Sequence, residues 1–169
     1  IFEGTNEINR LLATGMLLKR AQRGQLPLAQ AVKKLQDELL GLAPSDIVSN
    51  AKKVGLFVLG VAFQRFLTEL EHQQEVLACI TDVLMYVYAI ESVHLRKPNA
   101  EMTSVFTDEA MTRIEEAART VLAASSEGDA LRTNLAILKK LTRREAVNTI
   151  GARRRIAKRL MEAERYVLA

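Results

Sequence analysis

Tryptophan is absent, cysteine occurs once, histidine twice and proline three times in 169 residues, and aromatic residues make up only 5% of the chain. A lone Cys79 has no partner, which excludes a disulfide framework and points to a reducing compartment; its apolar surroundings read as core packing. Glu91-Ser92-Val93-His94 has the Glu-x-x-His spacing of di-iron bundles, but those sites need a second such pair and further glutamates. His72 stands alone and Cys79 adds no metal-ligand spacing, so no metal is expected. Glycine-rich phosphate loops and serine or cysteine triads are also missing. The longest apolar run, residues 54–63, has Lys53 and Arg65 close on either side and falls short of the about 20 residues a membrane span needs. It reads instead as a helix buried in a bundle.

What remains is 49% hydrophobic and rich in Ala, Leu, Lys, Arg and Glu. That mixture favours an all-α chain, and no strand pattern competes. The length allows one domain, or one with a small appendage. Periodicity and punctuation predict a first helix over about 5–23, stopping at Gly24, and a second after Pro27 that carries Ala31, Val32, Leu35, Leu39 and Leu40 to Gly41. A cap at Ser45 or Asp46 opens a long apolar helix over 47–70, and another follows over 74–96. Helices near 103–125, 129–140 and 142–166 complete the prediction. The expected fold is a helical bundle of about six to seven helices with a long central antiparallel pair. Asp82 interrupts the apolar pattern of the second long helix, so an Arg or Lys partner, or access to solvent, is expected.

The chemistry concentrates at the start, in Ile1-Phe2-Glu3-Gly4-Thr5-Asn6-Glu7-Ile8-Asn9-Arg10-Leu11. Part of this string is a helix start, with Thr5 as N-cap, Glu7 in the first turn and Ile8, Leu11 and Leu12 at helical spacing. That reading leaves the preceding aromatic-Glu-Gly unexplained. The whole string resembles the catalytic-base motif of the acyl-CoA dehydrogenases: an aromatic, Glu, Gly, Thr, two polar residues, Ile, any residue, Arg and an apolar pair.

The resemblance implies that Glu3 takes the α-proton of a fatty acyl-CoA thioester while the β-hydrogen leaves as hydride to FAD, giving a trans-2-enoyl-CoA. It further implies that Phe2 and Gly4 line the acyl-CoA slot and that Thr5, Asn6 and Glu7 contact the flavin; Arg10 fits the pattern without a role. A carboxylate in a water-poor slot is a stronger base than one in water, and a positioned general base contributes roughly 10²–10⁴-fold. In this family the domains that hold the flavin precede the motif, so the chain reads as a C-terminal fragment that neither retains FAD nor turns over alone.

Roughly 160 residues follow Glu7, an excess that resembles the very-long-chain type with its additional C-terminal helical domain. Residues 1–24 then read as the end of the catalytic core and 25–169 as the additional domain. The resemblance implies a homodimer, an electron-transfer flavoprotein as acceptor, and a location in the cytoplasm of a bacterium or at the mitochondrial matrix or inner-membrane surface of a eukaryote. Beyond the first helix it rests on length and helical character. The basic end, with Arg153, Arg154, Arg155, Lys158 and Arg159 opposite Ile150, Ala157, Leu160 and Met161, has the pattern of a helix on an anionic bilayer and equally that of a solvated face. No nucleic-acid motif accompanies it. The alternative to an enzyme fragment is a self-standing helical module for dimerisation or membrane docking.

Overall fold

The computed structural model describes residues 5–39, 45–96 and 99–167, and these form seven α-helices with no strand. The first, α1 (Asn6–Gln22), begins where Thr5 accepts a hydrogen bond from the Ile8 N–H at 3.4 Å, and it carries Glu7 in its first turn and Lys19 and Arg20 in its last, matching the helix dipole. It ends at Gly24, whose φ of +70° lets the Gln25 N–H reach back to the Arg20 carbonyl at 2.9 Å. The next helix, α2 (Leu28–Leu39), follows Pro27 and buries Leu35. The expected end of α2 at Leu40 and Gly41 lies outside the described residues.

Asp46 caps α3 (Ile47–Phe66), accepting from the Ser49 N–H at 3.0 Å and the Ser49 hydroxyl at 2.6 Å. The hydroxyl bond is the main reason its carboxyl group titrates below the usual value. Periodicity predicts that α3 continues to Leu70, but the α-helix stops four residues earlier. Leu67 takes φ +50° and a 3-10 segment, Leu67–His72, follows. The change of direction exposes Leu67 and brings Leu70 to 1% exposure. A non-glycine residue at positive φ costs on the order of 1–3 kcal/mol, and burying a leucine returns about 1.5–3 kcal/mol.

The long helices α4 (Gln74–Arg96) and α5 (Ala100–Ser125, capped by Asn99) lie along one another and, with α3, enclose the core. Val54 and Val58 from α3, Ile80, Val83 and Ile90 from α4, and Met111, Ile114, Val121 and Leu122 from α5 are all fully buried. By length and composition, the segments Ile47–His72 and Gln74–Arg96 could cross a bilayer, yet here they form the middle of a bundle. Gly60 sets the close crossing of α2 over α3: a Cβ there would stand 2.7 Å from Val32 Cγ1.

The remaining helices are α6 (Gly128–Thr142) and α7 (Thr149–Ala163). The sequence predicts a single helix from 142 onward, but residues 143–148 are not helical and α7 starts at Thr149 under an Asn148 cap. Arg144 explains the gap. Its guanidinium donates to Asp108 Oδ1 at 2.9 Å, to Thr112 Oγ1 at 2.7 Å and to the Thr142 carbonyl at 3.2 Å, fastening the linker to α5.

The Gly60 crossing makes a direct prediction. Gly60→Ala should destabilise the chain by about 1–3 kcal/mol, and Val32→Ala in the same chain should recover part of the loss. Gly15→Ala, where a Cβ meets nothing within 4 Å, should stabilise by about 0.5–1 kcal/mol. Urea unfolding of the three variants checks both; a neutral Gly60→Ala would contradict the tight crossing.

Candidate functional site

Phe2, Glu3 and Gly4 lie outside the described residues. Thr5 is half-buried at the head of α1, while Asn6 and Glu7 are exposed in the first turn and neither side chain hydrogen-bonds to the described residues. Among the described residues, Thr5 answers the Ile8 N–H of this turn, and the Asn6 and Glu7 N–H groups are among those a helix leaves without an intrahelical acceptor.

One turn further on, α1 is fastened to α4. The Arg10 guanidinium donates to Asp82 Oδ2, supplying the basic partner expected for Asp82 and giving Arg10 a contact that its place in the motif did not reveal. Beneath this ion pair lie Thr14 and Thr81, at 0% and 1% exposure. The Thr81 hydroxyl donates to the Arg10 carbonyl, and the two threonine oxygens are 2.6 Å apart. Because Thr81 gives its only hydroxyl proton to that carbonyl, Thr14 must donate across the 2.6 Å contact. The Leu77 carbonyl, 3.3 Å from Thr14 Oγ1, is the weaker alternative acceptor. A relay therefore runs from Thr14 through Thr81 to the backbone of α1. No sequence signal marked the threonines, since their partners are 67 and 71 residues away.

Cys79 shares this neighbourhood. Burial raises its thiol pKa, the Asp82 carboxylate raises it further, and the Arg10 guanidinium partly opposes both. The thiol is thereby kept protonated and unreactive.

The outer face of α1 is apolar: Ile8, Leu12 and Met16, four residues apart, are each more than half exposed. With Phe63 and Leu67 they line an open groove of about 530 Å³. A second groove of about 820 Å³ lies between the end of α1, α2 and α3, where Leu26, Val32, Leu59 and Gly60 form its walls; Phe63 borders both.

At the other end of the bundle, much of the basic charge is already paired. Arg153 meets Glu109, Arg155 meets Glu101, and Arg144 meets Asp108, so α7 and its linker are clasped to an acidic row on α5. Arg154 and Arg159 are exposed and have no ion-pair partner among the described residues. Of the Glu-x-x-His pair, Glu91 is held by Lys52 and His94 Nε2 lies 3.1 Å from Thr107 Oγ1. Among the described residues no cluster of three His, Cys, Asp or Glu side chains forms.

The central helices decide the family. Residues 50–140, from the first turn of α3 almost to the end of α6, match the acyl-CoA dehydrogenase C-terminal domain. This chain belongs to that family. A probable acyl-CoA dehydrogenase of Bacillus subtilis (strain 168) is 38% identical over a 192-residue alignment that takes in 99% of this chain and 32% of that protein. The crystal structure of an acyl-CoA dehydrogenase complexed with FAD from Bacillus anthracis is similar over 99% of this chain and 32% of that one, with 41% identity and a TM-score of 0.91. The chain thus spans about a third of the length of both relatives.

The site geometry predicts that Cys79 is alkylated by iodoacetamide at pH 8.5 several-fold more slowly in the folded chain than in urea. Asp82→Asn, which removes the charge holding the thiol up, should speed the folded reaction. Equal folded and unfolded rates would contradict the placement of Cys79.

Proposed function

We propose that this chain is the C-terminal third of an FAD-dependent acyl-CoA dehydrogenase and that Glu3 is its catalytic base. The observation that carries the reading is that a domain of this family, residues 50–140, follows the string Phe2-Glu3-Gly4-Thr5 in the same chain, and that α1, which begins at the end of that string, packs on α4 of the domain. The full coverage of this chain by two acyl-CoA dehydrogenases favours this reading over a self-standing interaction module.

In this reading the Glu3 carboxylate removes the α-proton of a saturated acyl-CoA thioester. When bound, FAD supplies the acceptor for the β-hydrogen and its electron pair, and the product is the trans-2-enoyl thioester. Gly4, without a Cβ, allows the backbone to pass close to the thioester, and Phe2 covers the slot and excludes water. The head of α1 suits a flavin. The first-turn N–H groups of Asn6 and Glu7 and the Asn6 amide would offer donors to ring or pyrophosphate oxygens, while the Glu7 carboxylate suits a hydroxyl or ring N–H rather than a phosphate. The rest of a flavin site would lie in other parts of the enzyme, so this chain alone should neither retain FAD nor turn over.

Roughly 160 residues beyond Glu7 support the long-chain reading, with 1–24 closing the catalytic core and 25–169 forming an additional domain. That reading carries with it a homodimer and an electron-transfer flavoprotein as acceptor. Peripheral membrane contact through residues 153–159 draws less support, because Arg153 and Arg155 are turned to α5.

The test is oxidation of a long-chain acyl-CoA by the full-length protein and its Glu3→Gln variant. Retained FAD with turnover reduced by at least about 10²–10⁴-fold is expected. Equal turnover, or a wild-type protein without flavin, would overturn the assignment.

A further inference from the structure

We propose that Asp82 and Thr81 of α4 are positioning residues for Glu3: acting through Arg10, they fix the depth and rotation of α1 and so the place of the base that precedes it. The inference rests on the reading of Glu3 given above and adds to it a role for the C-terminal domain in the chemical step.

Two kinds of contact are combined at one residue. The Thr81 hydroxyl bonds to the Arg10 carbonyl, a backbone atom, so it fixes where α1 sits along its own axis. The Asp82 carboxylate holds the Arg10 side chain, which fixes how α1 is turned about that axis. Thr14, one turn on and fully buried, locks Thr81 from the other side. A slip of α1 by one residue would strand both hydroxyls away from their partners, at about 1–3 kcal/mol for each unpaired buried group. Apolar contacts from Leu11, Leu17 and Leu18 also press α1 on the core, but they tolerate sliding in a way that a hydrogen bond does not. Glu3 stands seven residues before Arg10 and two before the Thr5 cap in sequence, so the head of α1 is the anchor nearest to it along the described chain. Misplacement of a reacting group by about 1 Å costs on the order of 10²-fold in rate.

A positioning role differs from a purely structural one in what it moves. In the full-length, FAD-loaded protein, Asp82→Asn should lower kcat per bound flavin by about tenfold or more while KM for a long-chain acyl-CoA stays within about twofold. Asp82→Glu, which keeps the ion pair, should restore most of the rate. Thr81→Val, nearly isosteric and without the hydroxyl, should reproduce the loss, and Thr81→Ser should not; this pair of variants keeps the proposal testable if Asp82→Asn fails to fold. Unchanged kcat per bound flavin in Thr81→Val, or in a folded Asp82→Asn, would overturn the proposal, even if the melting temperature or flavin content fell. An inactive wild-type protein would instead defeat the reading of Glu3, so the two failures are separable.

Discussion

A polar seam between α1 and α4 is the constraint that sets the register of α1. Two buried threonines and a half-exposed ion pair do what the surrounding leucines cannot, because apolar contact rewards burial without selecting one register, whereas a buried hydroxyl must meet its partner or lose it. Asp82 and Thr81 sit on a helix whose neighbouring face is committed to the core through Ile80, Val83 and Val87. The centre of the bundle is therefore in direct register with the helix that follows the string around Glu3. The exposed face of α1, with Ile8, Leu12 and Met16, lies opposite the seam, so within the described residues α1 is held from one side.

The two ends of the bundle use charge differently. At the α1 end one arginine and one aspartate meet over a buried polar relay. At the α7 end several arginines lie on the acidic row of α5, each pair exposed enough to be worth little alone, about 0–1 kcal/mol. The Arg144 cluster is the exception, since its guanidinium is largely buried and bonded to a carboxylate, a hydroxyl and a backbone carbonyl at once. That cluster orders residues 143–148, and the helix expected through them gives way to it. Net charge at this end thus reads as a clasp first.

Much of this was legible in the sequence because it is local. Thr5, Asp46 and Gly24 punctuate the helices where caps and stops belong, and α4 follows its periodicity from end to end, while α5 starts at Ala100 under an Asn99 cap, a few residues before the expected 103. The string around Glu3 pointed to the family that the central helices confirm. What could not be read was long-range: which base would meet Asp82, why Leu67 breaks α3, and why Arg144 interrupts the last helices. Each depends on a partner distant in sequence or on the burial of one side chain, as with Leu70. The seam threonines were invisible for the same reason, because a threonine in a helix carries no sign of the carbonyl it will find 71 residues away.

Amide hydrogen exchange along α1 in the full-length protein tests the central claim most directly. If the seam fixes α1, amides from Arg10 to Leu18 should be protected to nearly the same degree as the core amides of α4, opening only in the unfolding that opens the bundle. Exchange of that stretch at rates typical of a fraying terminus, with α4 still protected, would contradict it.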